Sequence, residues 1–209
     1  MSEKESAKIK SADAYPNGER SIRIIDSSYN DLFRIPDGEN IVLLTMAGER
    51  RILSCKYIDE YHAQIGDSTL HICQFAEIME RNGVVYFPEY PKEEDILDIY
   101  EIHQIKDMMK TTYTFRSYEE AKKRFTRNDY ERKYRGVLAP GVDKEALFIK
   151  HNRDSRPFGD RMHSMSVSDV IVMKRNGEKK AYYVDDIGFT EVPKFLKKPI
   201  KSKGKGEER

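Results

Sequence analysis

The segment from His163 to Phe189 constrains the fold of this chain more than any other. It reads as a polar loop, an apolar strand from Val167 to Met173, an Asn176-Gly177 turn and a return strand from Ala181 to Asp185. Asn-Gly is a preferred dipeptide of two-residue hairpin turns, because both residues accept positive φ. The segment therefore predicts an antiparallel β-hairpin.

The first strand of this hairpin is apolar on both of its faces. Successive strand residues point to opposite sides of a sheet, so Val170 and Val172 share one face while Ile171 and Met173 share the other. Such a strand is typical of a sheet that is covered on both sides. We expect the polar residues before it to form the rim of a core hairpin, with Ser168 or Asp169 accepting hydrogen bonds from backbone amides.

The rest of the chain divides by composition into five parts. Residues 1–19 are predicted to be a flexible leader, 20–88 an N-terminal accessory domain, 89–95 a linker rich in Pro and acidic residues, 96–196 a second domain, and 197–209 a basic flexible tail. The fold class predicted is α+β, with two small domains that each combine a mostly antiparallel sheet with one or two short helices.

In the first domain, strands are expected at Ile22–Asp26, Ile41–Met46, Arg51–Ile58 and Val84–Phe87. The helical spacing of Ile72, Phe75, Ala76 and Met79 predicts a helix, capped by Asp67, Ser68 or Thr69 and ended by Gly83.

In the second domain, strands are expected at Ile96–Ile105 and Tyr130–Leu138. A capping box at Ser117 predicts a short helix through Phe125. A second helix is expected from Asp143, with Ala146, Leu147 and Lys150 on one side.

Charge and apolar content exclude several classes of protein. The chain has 37 basic and 36 acidic residues, so any attraction to nucleic acid must come from a local patch. No apolar run approaches the length of a membrane span, and the first residues carry no apolar signal region. We therefore expect a cytoplasmic protein without a membrane partner, whose two cysteines are reduced.

Several blocks, in order along residues 97–196, resemble the YodL-like domain family. They are Tyr100–Ile105, Tyr134–Gly141, His163–Val172, Tyr182–Asp185 and Gly188–Leu196. The first domain, with Cys55–Asp59 and His71–Ile78, is similar to accessory segments that accompany such domains. The resemblance implies a protein of a bacterial mobile genetic element, and it carries over no catalytic residues.

Cys55, His62, His71 and Cys73 could in principle supply zinc ligands. Their spacing does not fit a Cys-x-x-Cys knuckle, so a buried thiol and ordinary histidines are the better interpretation. Nothing in the sequence activates either thiol as a nucleophile. No metal and no cofactor are therefore expected.

The candidate binding loop comprises His163, Ser164, Ser166, Ser168, Asp169 and Asp185. A Ser-His-Asp triad needs convergence in space, which adjacent positions on one strand do not supply. Asp169 with Glu178 and Lys180 also matches a metal-dependent nuclease pattern, but solvated turn charges explain those residues equally well. No catalytic residue is assigned.

The candidate nucleic-acid contacts are Arg127, Arg132, Lys133, Lys198, Lys201 and Lys203. Tyr130 and Tyr134 lie among the first three and could stack on bases. The alternative is an edge strand guarded by solvated charges.

The function predicted is a non-enzymatic accessory binding module that contacts another protein or nucleic acid. The alternative is a DNA-directed enzyme or an antagonist of host defence of the antirestriction type. The sequence does not fix the partner or the oligomeric state.

Overall fold

A computed structural model describes residues 20–88 and 98–197 of the protein. Residues 20–88, the N-terminal unit, contain seven strands and one helix: β1 (Ser21–Ile25), β2 (Asp31–Pro36), β3 (Asn40–Leu44), β4 (Arg50–Tyr57), β5 (His62–Ile65), β6 (Ser68–His71), α1 (Ile72–Asn82) and β7 (Val85–Pro88). Strands β1 and β2 form one antiparallel pair, and the others form a five-stranded sheet in the order β6-β5-β4-β3-β7. The predicted leader, linker and all of the basic tail beyond Lys197 lie outside the described residues.

Helix α1 covers the core of the N-terminal unit with the apolar stripe that its sequence predicts. Phe75, Ala76 and Met79 are buried. The helix ends at Gly83, as predicted, which takes a left-handed φ of 60°. The predicted start was wrong, because Ser68 and Thr69 belong to β6 and the cap is His71. The His71 side chain accepts from the Cys73 amide, and Gln74 accepts from the His71 amide.

Residues 98–197, the C-terminal unit, contain five strands and two α-helices: β8 (Ile99–Ile105), α2 (Tyr118–Ala121), β9 (Tyr130–Val137), α3 (Lys144–Lys150), β10 (Val170–Arg175), β11 (Glu178–Val184) and β12 (Phe189–Glu191). A 3₁₀ turn, Arg127–Asp129, lies between α2 and β9, and another, Pro193–Leu196, follows β12. The strands form one antiparallel sheet in the order β12-β11-β10-β8-β9. The predicted α+β class with mostly antiparallel sheets is confirmed.

The hairpin β10–β11 occupies the middle of this sheet, and its turn is the predicted Asn176-Gly177, with φ of 50° and 82°. Strand β10 is buried on both sides, as its sequence predicts. Ile171 packs in one core with Tyr100, Tyr134 and Leu147. Val170 and Val172 pack in a second core, on the opposite face of the sheet.

Some local predictions in both units differ from the structure. Strand β2 was missed, because its sequence lacks the regular alternation that marks a half-buried strand. Helix α2 is shorter than predicted and ends at Ala121, although Ser117 caps it as expected. Ala146 is exposed on α3, whereas Leu147 and Lys150 are buried.

The two units meet along a seam that contains buried charges. The Lys150 ammonium on α3 lies 2.9 Å from Asp26 and 2.5 Å from Glu80, and all three side chains are less than a tenth exposed. The amide of Phe158 donates to the carbonyl of Glu80 at 2.8 Å. Val137 of β9 also belongs to the hydrophobic core of the N-terminal unit. The division into two domains stays a prediction.

The helices in the described ranges are all too short or too polar to cross a lipid bilayer.

Candidate binding surface

Three connections meet at one end of the C-terminal sheet. Strands β8 and β11 end there, while β9, β10 and β12 begin there, because neighbouring strands are antiparallel. Residues 106–129, 163–169 and 185–188 therefore share this end, which we call the loop end. The whole candidate binding loop lies within it.

The centre of the loop end is a buried polar network around Gln104. Its amide nitrogen lies 2.9 Å from the Asp169 carboxylate, 3.2 Å from the His163 carbonyl and 2.9 Å from His163 Nδ1. The Ser166 amide donates to the same Asp169 oxygen at 3.0 Å. These bonds tie the loop to the sheet, as the sequence predicted for Asp169.

Burial dominates the electrostatics of Asp169. It raises the pKa of this carboxyl group to about 6, although the hydrogen bond from Gln104 and the charge of His163 act in the opposite direction. The His163 ring lies 4.0 Å from the carboxylate and is partly exposed. Among the hydrogen bonds of the described residues, none joins a serine hydroxyl to His163, so the loop does not form a Ser-His-Asp relay.

Ser168 joins the connections of the loop end to one another. It is buried and takes a left-handed backbone with φ of 80°. Its hydroxyl accepts from the Phe115 amide at 3.1 Å, and its carbonyl accepts from the Tyr130 hydroxyl at 2.8 Å. Its own amide donates to Val184. Ser168 thus fixes two loops against the sheet.

Asp185 has a similar role in the last connection. Its carboxylate accepts from the Tyr118 amide at 3.0 Å, the Thr190 hydroxyl at 2.7 Å and the Asp186 amide at 3.0 Å. Burial opposes ionisation, but these hydrogen bonds outweigh it and lower the pKa of Asp185. Of the remaining candidate residues, Ser164 is exposed.

The loop end also presents large apolar side chains to solvent. Phe115 is 59% exposed, Met109 is 95% exposed and Ile187 is 90% exposed. Phe115 has a left-handed backbone with φ of 58°, a conformation that is unfavourable for a bulky residue. Hydrogen-bonded loops therefore hold apolar groups in water at this end.

Sequence reasoning missed Gln104 and Phe115 as residues of this surface. The signal available for Phe115 was the presence of large apolar residues, such as Met109 and Phe115, in a connection between strands. No local signal identifies Gln104, because its partners lie 59 and 65 positions away in the chain.

The three described candidates for nucleic-acid contact all have partners within the protein. Arg132 donates to Glu101 at 3.1 Å, and Lys133 forms an ion pair with Glu131. The Arg127 guanidinium lies 4.6 Å from the centre of the Phe195 ring. Lys198, Lys201 and Lys203 lie outside the described residues.

The tyrosines that were expected to stack on bases are buried in the cores. Tyr130 is 1% exposed and Tyr134 is 2% exposed. The stacking prediction was wrong, because strand alternation and a bulge in β9 turn both rings inward, one to each face of the sheet.

The four candidate zinc ligands do not converge. Cys55 is buried in the core, where burial raises its thiol pKa to about 12, while Cys73 is exposed. The His62 and His71 rings pack edge to face at 5.1 Å, and His62 contacts Asp59 at 2.9 Å. In residues 20–88 and 98–197, no three His, Cys, Asp or Glu side chains are grouped to hold a metal ion.

A groove of about 560 Å³ follows the seam between α1, the β1–β2 turn and residues 154–160. Its buried carboxylates are already engaged. Asp26 accepts from Ser28, Asn30 and Lys150, and Glu80 accepts from the Ser27 amide and faces Lys150. The groove therefore has a structural explanation, and the loop end remains the stronger candidate.

Comparison with known proteins gives a match in the C-terminal unit. The family model of the YodL-like domain matches residues 99–195. No curated protein and no solved structure gives a significant match. The predicted likeness of the N-terminal unit to accessory segments is not addressed by this match and stays a prediction. The C-terminal half of this chain, with the whole loop end, therefore matches the YodL-like domain family.

Proposed function

We propose that this protein is a non-enzymatic accessory binding module of a bacterial mobile genetic element, that it acts in the cytoplasm, and that its loop end binds another protein. The family resemblance motivates the biological setting. The structural support is the exposure of Phe115, Met109 and Ile187 on loops that are held by internal hydrogen bonds.

The main evidence for this proposal is the backbone conformation and the exposure of Phe115. A left-handed backbone at a bulky residue costs on the order of 1–3 kcal/mol, and such strain is commonly found at ligand-binding positions. The Ser168 hydroxyl holds the Phe115 amide in this conformation. More than half of the residue's surface is exposed, so Phe115 gains little from burial against the described residues. A partner that covers the ring would give that burial.

The charges of the connection that carries Phe115 and Met109 bear on the chemistry of this partner. Residues 106–129 contain seven basic side chains against four acidic ones. The other two connections add three aspartates, of which Asp169 and Asp185 are bonded within the chain. Charge complementarity across an interface favours binding and orientation. The partner is therefore a protein segment with apolar side chains flanked by acidic residues.

The polar groups of the loop end support binding over catalysis. Asp169, Ser168 and Asp185 all accept hydrogen bonds from the chain itself, which positions loops. Pre-ordered loops bind with a smaller loss of conformational entropy than mobile ones.

Selection from a phage-displayed library of random peptides tests this function without requiring the partner to be identified first. We expect enrichment of peptides that combine apolar and acidic residues, and loss of their binding to Phe115→Ser and Ile187→Ser. The matched control is Ile52→Ser, which replaces an exposed apolar residue of the N-terminal unit. Failure to enrich such peptides, or equal binding to all three variants, would contradict the proposal.

A further inference from the structure

The sheet of the C-terminal unit has an edge that starts at the loop end. Strand β12 (Phe189–Glu191) is the outermost strand on one side, and among the strands of the described residues it pairs with β11 alone. A strand at the edge of a sheet presents backbone amides and carbonyls on the side that has no neighbour. Which residues of β12 present them depends on the phase of its pairing with β11.

Two hydrogen bonds fix this phase. The Asp185 amide donates to the Gly188 carbonyl at 3.0 Å, and the Val192 amide donates to the Ala181 carbonyl at 2.8 Å. Bonded and non-bonded pairs of residues alternate along antiparallel strands. The first and last residues of β12 therefore belong to non-bonded pairs, and their amides and carbonyls point away from β11.

These outward groups belong to Phe189 and Glu191, and they have no partner in the described part of the chain. No turn, cap or side chain of residues 20–88 and 98–197 bonds to the amide or carbonyl of either residue. The backbone of Val184, opposite Phe189 on β11, points to the other side and bonds to Ser168 and Asp169. Strand β12 therefore offers two donors and two acceptors, in two sets about 7 Å apart along the edge.

The edge is continuous with the loop end. Ile187, which is 90% exposed, lies two residues before Phe189 in the tight turn from β11. The Tyr118 amide donates to the Asp185 carboxylate at 3.0 Å, which places the connection that carries Phe115 beside the same turn. An extended segment that lies along β12 therefore leads to the exposed apolar side chains of the loop end.

We propose that the protein partner of the loop end adds an extended segment to β12 as a sixth strand of the sheet. This inference rests on the function proposed above and names the mode of recognition. An extended segment carries amides and carbonyls at the spacing that an edge strand offers, so backbone bonds supply affinity and side chains supply specificity. A helix satisfies its backbone groups internally and cannot pair in this way.

The residues that follow β12 suit a segment with acidic side chains. Lys194 and Lys197 are exposed, in and directly after the 3₁₀ turn. Glu191 is the acidic residue of β12, so the cations at this end of the edge outnumber it. Charge complementarity therefore places the acidic residues of the bound segment near the two lysines, and its apolar residues near Ile187.

The short length of the edge limits what can pair with it. Strand β12 has three residues, and Pro193, which has no amide hydrogen, begins the turn that follows. Short edge strands and prolines protect a sheet against unspecific association. Two paired residues alone give weak binding, so the contacts of Ile187 and Phe115 select the partner.

Amide hydrogen exchange of the full chain, with and without a peptide from the phage-display selection, tests strand addition. At saturating peptide, exchange at the Phe189 and Glu191 amides should slow by about tenfold or more. The Thr190 amide, which faces β11, is the internal control and should change less.

A pair of substitutions at one position tests the same contact. Glu191→Pro removes an outward amide and keeps the bonds to β11, and proline is tolerated where an edge amide faces solvent. It should weaken peptide binding by about fivefold or more, since a hydrogen bond is lost. Glu191→Gln keeps the amide and should bind the peptide at least as tightly as the wild type. A circular dichroism spectrum of each variant checks that its fold is intact.

Strand addition can fail separately from the proposed function. If the selection enriches no acidic, apolar peptide, the proposed function fails and strand addition fails with it. If peptides bind and Phe115→Ser abolishes their binding, while exchange at Phe189 and Glu191 does not change, the function stands and strand addition is wrong. Equal binding by Glu191→Pro and Glu191→Gln would contradict strand addition in the same way.

Discussion

The seam and the loop end differ in the side chains that they bury and expose. At the seam, Lys150, Asp26 and Glu80 are removed from water and satisfied by one another. At the loop end, Phe115 and Ile187 remain in water, although partly buried hydrogen bonds hold their loops in place. The seam is therefore satisfied by side chains of the described residues, whereas under the proposed function the loop end gains burial from a second molecule.

This contrast separates groups that hold the fold from groups that are available for binding. Buried charges stabilise a structure only when every partner is present. Exposed apolar groups contribute little to folding and much to association. Changes at the seam should therefore affect stability, and changes at the loop end should affect binding.

The largest expected effect on stability is that of Lys150→Met. This change leaves Asp26 and Glu80 buried without their cation, and we expect a loss of about 3–5 kcal/mol in the free energy of unfolding. Urea denaturation measures it. Lys144→Met is the matched control on the same helix, since Lys144 pairs with the more exposed Glu145, and it should cost less than about 1 kcal/mol. Equal losses for the two variants would contradict the role of the seam.

The next largest expected effect is a pH-dependent change in the free energy of unfolding, caused by the ionisation of Asp169. The pKa of its carboxyl group is about 6 in the folded protein, above the ordinary aspartate value of 3.8, so the folded state binds the proton more tightly than the unfolded chain does. Stability from this group is present below pH 4 and is lost as the pH rises to 6, by about 3 kcal/mol.

The free energies of unfolding of the wild type and of Asp169→Asn, measured from pH 4 to pH 7, test this. The wild type should lose stability relative to the variant across that window. The comparison is repeated with His163→Gln in both proteins, because the His163 ring faces the carboxylate at 4.0 Å. A difference that is constant with pH would show that Asp169 ionises freely.

Ser168→Ala should have a smaller effect that remains local to the loop end. The Phe115 amide loses its acceptor, which should cost about 1 kcal/mol. Hydrogen exchange at the Phe115 amide should become faster. Ser164→Ala, at an exposed serine of the same loop, should change neither quantity. Unchanged exchange at Phe115 in Ser168→Ala would mean that this hydrogen bond does not hold the loop.

The sequence predicted those parts of the fold that depend on neighbours in the chain. The Asn176-Gly177 turn and the two-sided burial of β10 follow from local pattern, and so does the end of α1 at Gly83. The hydrogen-bonding role of Asp169 was also predicted, because polar side chains before a buried strand commonly bond to nearby amides.

The contacts that were missed join distant positions. Lys150 and Asp26 are 124 residues apart, and no periodicity links an α3 lysine to a turn in the other unit. The sharing of Glu101 between Arg132 and Arg135 depends on the pairing of β8 with β9 and on the bulge that interrupts it. The exposure of Phe115 depends on its backbone conformation, which local sequence does not determine.

The smallest expected change in stability is that of Phe115→Gly, and it provides the most direct test of the loop end. Glycine accepts a positive φ without strain, so the free energy of unfolding should stay equal or rise by up to about 1 kcal/mol. Phe115→Asn is the control for backbone effects, since Asn also tolerates the left-handed region. Both variants should lose binding to the selected acidic, apolar peptides, while Ile52→Ser retains it. Retained peptide binding in Phe115→Gly would show that the loop end is not the binding surface. A loss of stability of several kcal/mol would show that Phe115 supports the fold.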